Sequence, residues 1–316
     1  MGQGRARARR NDAVMKRTDA ERSVTQRVAN EGRARKLLRE DALTAYAMDR
    51  FLVRLARSAE AKSFLLKGGL LVANLVDTPF RFTRDIDLLR RRGPSDPNDI
   101  RQRLQRVASL SADDPLTFGN VRAVPAVHDV DGYDGVRVRV AATLGNRTVD
   151  VQIDIGFGDA VRPRAVRRTL APFLDTDVGA KLLSYPVEAV VAEKTQTLFQ
   201  RVPLIQHRLK DLLDIVVLAR RTPFRGKALG DAMRATAERR NTSRSQREVD
   251  EFAGLVAGRA FESGWADMGR QKAVSDQPEL RVAVAEFIAF VERPWMGEPG
   301  TMAALKWVPS GPWTEG

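Results

Sequence analysis

Two aspartates one residue apart, Asp85 and Asp87, follow a pair of glycines, Gly68 and Gly69. If residues 85–89 form a strand, both carboxylates lie on one face, because side chains alternate along a strand. Carboxylates this close repel each other unless a cation lies between them, and Mg²⁺ is a hard cation that binds oxygen ligands. Backbone N–H groups of glycines at the start of a helix can contact a phosphate. In this order, the two features suit transfer of a nucleotidyl group.

Each feature also has a simpler interpretation. A single Gly-Gly is commonly a turn, and a single Asp-x-Asp at a strand edge is commonly solvated. Their order in the chain, together with apolar Ile86 and Leu88 between and after the acids, favours the catalytic interpretation.

A third carboxylate is needed from a neighbouring strand, to hold metal and to accept the proton of the attacking hydroxyl. Gly145-Asn146 predicts a hairpin turn after the alternating Val136, Val138 and Val140. On the return strand, polar residues alternate with apolar ones (polar Asp150, Gln152 and Asp154; apolar Val149, Val151, Ile153 and Ile155). Such a polar face is commonly solvent-exposed. We nevertheless predict Asp154 as the third ligand, with Asp150 as the second candidate.

Three charged residues are expected beside apolar residues on two helices further along the chain. Lys194 lies in the apolar stripe of a helix opened by Tyr185-Pro186, where a lysine either extends to solvent or has an anionic partner. Arg208 and Asp211 are three residues apart on a helix, which by itself indicates an ion pair worth about a few tenths of a kcal/mol. We choose Asp211 rather than Asp214 as the candidate functional residue of this helix, because Lys210 and Asp214 can pair on a more exposed face.

These residues resemble the motifs of the AbiEii/AbiGii toxin family, which includes the MenT toxins, within the DNA-polymerase-β-like nucleotidyltransferase superfamily. The resemblance covers roughly residues 45–300 and includes four motifs in order. They are the glycine pair, the Asp-x-Asp with its lead Arg81-Phe82-Thr83-Arg84, the segment Glu188 to Lys194, and Arg208 to Asp214.

The resemblance implies the toxin of a type IV toxin–antitoxin system, with a cognate antitoxin encoded nearby. It implies a metal-dependent nucleotidyltransferase that uses Mg²⁺ or Mn²⁺ and transfers NMP from an NTP to an RNA, expected to be the 3′ end of tRNA, and so blocks translation and growth. Asp85, Asp87 and Asp154 would hold two metal ions, and Asp211 would orient Lys194 or the nucleotide. The nucleotide-binding residues would be Lys67, Gly68, Gly69, Thr83, Lys194 and Arg208, whereas Glu188 and Glu193 are expected on the helix surface.

Two alternatives remain open at the level of sequence. One is a nucleotidyltransferase that modifies a protein or a small molecule. The other is a non-catalytic nucleic-acid-binding protein with a degenerate site.

Composition limits the remaining possibilities. The 316 residues carry a net charge of +13, which favours a polyanionic partner but is also typical of arginine-rich usage. The absence of cysteine excludes disulfides and thiolate chemistry and is compatible with the cytoplasm. The two histidines, His128 and His207, lack metal-ligand spacing and are expected to be structural. No signal peptide or membrane span is predicted, and we expect a monomer.

The predicted fold class is α+β, with a polymerase-β-like core of a mixed sheet flanked by helices, followed by a helical C-terminal domain. We place a basic arm at residues 1–40, the nucleotidyltransferase domain at 41–184 and the helical domain at 185–316. Periodicity predicts a set of helices (41–58, 98–110, 204–220, 252–261 and 280–291), and strand, turn and helix over 62–76, ended by Pro79. Residues 221–247 and the proline-containing tail are expected to be irregular, and Phe287 and Phe290 are expected in the core.

Overall fold

The computed structural model describes residues 19–76, 82–126, 135–200, 208–256, 259–271, 277–297 and 299–316. The predictions for Pro79, His128, His207, residues 1–18 of the basic arm and the start of the helix at 204 lie outside these ranges. The helices are α1 (19–34), α2 (Arg39–Arg57), α3 (Gly68–Leu75), α4 (Pro97–Ala108), α5 (Val187–Gln200), α6 (Leu209–Arg221), α7 (Gly226–Arg239), α8 (Gln246–Val256), α9 (Arg259–Gln271), α10 (Leu280–Met296) and α11 (Pro299–Met302). A 3₁₀ turn covers Ala59–Lys62.

The strands are β1 (Phe64–Lys67), β2 (Asp85–Arg90), β3 (Thr117–Ala126), β4 (Gly135–Leu144), β5 (Arg147–Phe157), β6 (Val166–Thr169), β7 (Lys181–Ser184), β8 (Phe224–Arg225), β9 (Leu305–Trp307) and β10 (Trp313–Glu315). A seven-stranded mixed sheet has the order β3-β4-β5-β2-β1-β7-β6, and a smaller sheet has the order β10-β9-β8. The α+β prediction is confirmed. Among the described residues, no helix combines the length and apolarity needed to cross a bilayer.

The described residues fall into two compact units. The first comprises those within Met1–Phe64, Arg84–Phe157 and Arg168–Leu182. The second comprises those within Leu65–Thr83, Gly158–Arg167 and Leu183–Gly316.

In the first unit, alternation along the strands builds the core. Ile86 and Leu88 of β2 are fully buried, and Val151 and Ile153 of β5 lie on the same apolar face. Strand β2 runs parallel to β5, and β4 and β5 form the predicted antiparallel hairpin. Helix α2 packs against β5, and α4 packs against β3 and β4. The opposite, polar face of these strands is the one that carries the aspartates.

Two helices of this unit correspond to segments that the sequence predicted to be helical. Helix α4 starts at Pro97, and the Asp96 side chain accepts a hydrogen bond from the Asp99 N–H, which caps the helix. Helix α2 matches the predicted amphipathic segment, and its Arg54 is buried. In the predicted N-terminal arm, residues 19–34 form α1, whose Val24 and Val28 are buried.

The second unit is mainly helical. Phe199 of α5 packs edge-on against three aromatic side chains from α8 and α10, with ring centroids 5.0–5.7 Å apart (Phe252, Phe287 and Trp295). Phe287 and Phe290 are fully buried, as predicted. Trp307 and Trp313 of the small sheet pack on Phe290, and their indole N–H groups donate to the carbonyls of Ala219 and Phe290.

The prediction of an irregular segment at 221–247 is wrong. Helix α7 occupies most of it, and Leu229, Ala232, Met233, Thr236 and Ala237 are buried at helical spacing. Gly226 is the first residue of this helix, and a larger residue would be crowded there because a Cβ would lie 2.8 Å from the Met302 carbonyl oxygen. The tail is also more regular than predicted, because Pro294 lies inside α10 and β9 and β10 form a hairpin.

Candidate active site

Three carboxylates converge on the polar face of the first unit. One oxygen each from Asp85, Asp87 and Asp154 lies within 4.8 Å of the others, and all three residues are half-buried. Strand β2 places Asp85 and Asp87 on the same face, and the parallel register with β5 sets Asp154 beside Asp87. We call these three residues the acid triad. The second candidate, Asp150, pairs with Ala141 in the hairpin register, is half exposed and lies outside the triad.

Asp154 is held by two neighbours. Arg137, its register partner on β4, donates two hydrogen bonds, from Nε to Oδ1 at 2.8 Å and from Nη2 to Oδ2 at 3.1 Å. Gln152 donates from Nε2 to Oδ2 at 3.1 Å. The hydrogen bond to Asp154 raises the pKa of Arg137, burial opposes the shift, and the charges of Asp85 and Asp87 add to it. Arg137 is therefore a fixed cation beside all three acids, a role that the sequence analysis missed.

The donor set fits a hard divalent cation. Carboxylate oxygens are the ligands that Mg²⁺ and Mn²⁺ prefer, and three of them within reach of one ion offset its charge. No sulfur or imidazole belongs to the set. Asp85, Asp87 and Asp154 would therefore hold the metal.

In the second unit, the glycine pair opens a helix as predicted. Gly68 has φ of +68°, a backbone conformation that only glycine adopts readily, and α3 begins there. The first N–H groups of α3 have no partner within the helix and carry its positive dipole end. Leu71 and Val72 anchor α3, which packs against α5 and α6. Thr83, also in this unit, is buried.

Lys67, immediately before the pair, lies in a cluster of ionisable side chains. Its Nζ donates to Asp159 Oδ2 at 2.5 Å, lies 3.2 Å from Glu193 Oε2 and sits 5.3 Å from the Tyr185 ring centroid. The Tyr185 hydroxyl donates to Asp159 at 2.9 Å. We call these four residues the Lys67 cluster. The expectation that Glu193 lies on the helix surface is wrong, because its side chain is only 17% exposed and pairs with Lys67.

The cluster contains one lysine for two carboxyl groups. Burial raises the pKa of Glu193, the charge of Lys67 opposes this and the charge of Asp159 adds to it. Burial would also raise the pKa of Asp159, but the charge and hydrogen bond of Lys67, with help from Tyr185, hold it below its usual value. The charged form is therefore favoured at Asp159 and disfavoured at Glu193.

Lys194 is held between two acids of α6. Its Nζ bonds to Asp211 and lies 2.9 Å from Asp214 Oδ2. Arg208 approaches Asp211 at 3.7 Å. The expectation that Asp214 lies on an exposed face is wrong, because its side chain is fully buried. Of the two alternatives that the sequence left open for Lys194, extension to solvent or an anionic partner, the structure shows the anionic partner.

A mixed sheet that presents three converging carboxylates is typical of enzymes that transfer nucleotidyl groups. The family profile described as "Nucleotidyl transferase AbiEii toxin, Type IV TA system" matches residues 50–287. The chain belongs to this family, so it is a nucleotidyltransferase toxin of a type IV toxin–antitoxin system. The resemblance read from the motifs is confirmed, and family membership implies a cognate antitoxin.

Solved structures to which the chain is similar include MenT4, a nucleotidyltransferase toxin from Mycobacterium tuberculosis H37Rv. It shares 18% sequence identity at a TM-score of 0.48, over 82% of this chain and 98% of that one. JHP933 from Helicobacter pylori shares 14% identity at a TM-score of 0.42, over 78% and 87% of the two chains. A search of curated proteins found no match.

Proposed function

We propose that the protein transfers a nucleoside monophosphate from an NTP to RNA, with the 3′ end of tRNA as acceptor, and thereby blocks translation in the cytoplasm. The convergence of the acid triad carries the proposal. The net charge of +13 supports a nucleic-acid acceptor, because phosphate contacts dominate such affinities.

Each site residue has a proposed role. Asp85, Asp87 and Asp154 hold Mg²⁺ or Mn²⁺, which neutralises charge on the triphosphate when bound. The N–H groups of Gly68 and Gly69 donate to phosphate oxygens. The remaining nucleotide contacts are assigned to Lys67, Thr83, Lys194 and Arg208. Asp211 orients Lys194, to which it is bonded.

Asp154 also receives the proton of the acceptor hydroxyl. The hydroxyl oxygen bonds to the α-phosphorus, the bond from that phosphorus to the bridging oxygen breaks, and pyrophosphate leaves. Catalysis rests on positioning and charge neutralisation.

The test is incubation with Mg²⁺, each labelled NTP in turn, and bulk tRNA together with total protein. We expect label in tRNA, and we expect Asp85→Asn to lower incorporation by on the order of 100-fold or more, because a metal ligand is lost. Asp113→Asn is the matched control, since Asp113 is an almost fully exposed acid outside the triad. Label in protein alone would favour a protein-modifying transferase, and full incorporation by Asp85→Asn would end the proposal.

A further inference from the structure

The polar face that carries the acid triad continues across two more strands of the first unit. In one cross-strand row, Asp87, Asp154 and Arg137 lie side by side. In the next row, Asp85, Gln152, Arg139 and Arg122 follow in order from β2 to β3. Arginines therefore lie on the β4–β3 side of Asp154, and metal-binding acids lie on its β2 side.

The three arginines differ in how firmly they are held. Arg137 is 39% exposed and is bound to Asp154. Arg139 is exposed, and its contact with Gln152 is long at 3.4 Å. Arg122 is 70% exposed and lies 3.7 Å from the half-exposed Asp150. Exposed contacts of this kind contribute little to stability, so an anionic ligand can replace them at little cost.

Helices α2 and α4 cover the other face of these strands, where the valines and isoleucines are buried. The arginines project from the face that α2 and α4 do not use. Strands lie about 4.8 Å apart and alternate residues on one strand about 6.8 Å apart, so the three guanidinium groups form a short track rather than a single point. Guanidinium forks match phosphate oxygens with two hydrogen bonds.

We propose that Arg137, Arg139 and Arg122, here called the arginine row, bind the sugar-phosphate backbone of the acceptor RNA next to its reactive hydroxyl. The inference rests on the proposed function, in which Asp154 faces that hydroxyl. An RNA strand that leaves Asp154 away from Asp85 and Asp87 passes over Arg137 first and then over Arg139 and Arg122. The positive charge of the row is complementary to the phosphates of this strand. The row lies on the same face of the sheet as the acid triad and next to it.

The experiment compares Arg122→Ala/Arg139→Ala with Arg92→Ala/Arg147→Ala. The control removes two exposed arginines of the same unit. Arg147 lies on β5, and the alternation of side chains along this strand puts it on the face opposite to the acid triad. Binding of 5′-labelled bulk tRNA is measured by filter retention over a KCl series, without NTP. Nucleotide incorporation is measured at varied tRNA and varied NTP.

We expect the row variant to bind tRNA on the order of tenfold more weakly than the control, with a slope of log affinity against log salt reduced by about two. Its KM for tRNA rises, whereas its KM for NTP is unchanged. Arg122→Lys/Arg139→Lys keeps both charges and retains most of the affinity, which separates lost contacts from lost folding.

If the wild type labels tRNA and the row variant matches the control in affinity and salt slope, the arginine row does not bind the acceptor, although the proposed function stands. If the wild type labels no RNA, the proposed function fails, and this inference fails with it.

Discussion

At the scale of the residue, Arg137 and Asp154 form a pair in which a cation occupies the oxygens that a metal would bind. Two unit charges about 4 Å apart interact by about 1 kcal/mol even at the dielectric constant of water. Arg137 therefore opposes metal binding at Asp154, both by its charge and by occupying both carboxylate oxygens. The positive charge of Arg137 also offsets the mutual repulsion of the three carboxylates when no metal is bound.

Replacing Arg137 tests this competition. We expect Arg137→Ala to bind Mn²⁺ at least about fivefold more tightly than the wild type in the absence of nucleotide, because the competing charge is gone. Titration of free Mn²⁺ by electron paramagnetic resonance measures the dissociation constant directly. Arg147→Ala is the control, and an unchanged or weaker Mn²⁺ affinity in Arg137→Ala would refute the competition.

Glu193 provides a prediction about pH. Because burial raises its pKa above the ordinary value of 4.5, the folded state binds this proton more tightly than the unfolded state. Its contribution to stability is present below pH 4.5 and is lost as pH rises through the raised pKa. Asp159, whose pKa is lowered, acts in the opposite sense at lower pH.

We therefore expect Glu193→Gln to remove the loss of stability that this acid causes as pH rises from 4.5 through its raised pKa. Urea unfolding at a series of pH values gives the free energy of unfolding for the wild type and the variant. Glu188→Gln, on the same helix, is the control. Parallel pH profiles for the wild type and Glu193→Gln would show that Glu193 ionises normally.

The sequence contained the signal for part of this site. Alternation in β2 and β5 predicted Asp85, Asp87 and Asp154, because strand parity follows directly from residue number. Arg137 was equally accessible, since a two-residue turn pairs Leu144 with Arg147 and counting along the hairpin reaches Asp154 and Arg137. Asp159 was not accessible, because no local period relates it to Lys67 across 92 residues of sequence.

At the scale of the element, a buried arginine of α2, Arg54, connects this helix to a distant segment of the chain. Arg54 forms two hydrogen bonds to Asp114, each 2.9 Å long, and also donates to the carbonyls of Leu110 and Leu116. Both partners of the ion pair are at most 3% exposed. A single side chain therefore ties α2 to the segment that leads into β3.

Removing Arg54 leaves Asp114 buried without its cation. We expect Arg54→Ala to lower the free energy of unfolding by about 3–5 kcal/mol. Arg57→Ala, which breaks the exposed contact with Asp113, is expected to cost less than about 1 kcal/mol. Urea unfolding followed by circular dichroism measures both, and equal effects would contradict the role of burial.

Helix α7 shows why the sequence misleads at this scale. Glycine and proline near its start and polar residues after its end indicated a loop, and those residues do mark its boundaries. The buried positions between them follow a helical period, but the low hydrophobicity of alanine and threonine weakens that pattern. Small residues suit this helix because it packs against α5 and α10.

At the scale of the whole molecule, net charge governs encounters with nucleic acid. With a net charge of +13, the protein would attract the proposed RNA acceptor at low salt, whatever its sequence. The excess positive charge attracts polyanions over a long range, whereas the acid triad would act only on a metal ion in direct contact with its oxygens. Composition alone gave this property, because it does not depend on the fold.

We expect the affinity for tRNA to fall steeply and linearly with log salt concentration, while the affinity for Mn²⁺ at the acid triad changes much less. Counterion release governs the first equilibrium, and short-range ligand bonds govern the second. Filter binding and metal titration between low and physiological salt measure the two slopes. A flat tRNA profile would mean that RNA binding does not depend on phosphate contacts.

The parallel register of β2 with β5 has a consequence for synthesis on the ribosome. Asp87 leaves the exit tunnel long before Asp154, and β4 must separate them in the sequence. A nascent chain that ends before β5 carries two of the three acids and lacks the strand that positions them. The acid triad therefore cannot be complete while the first half of the chain is still being made.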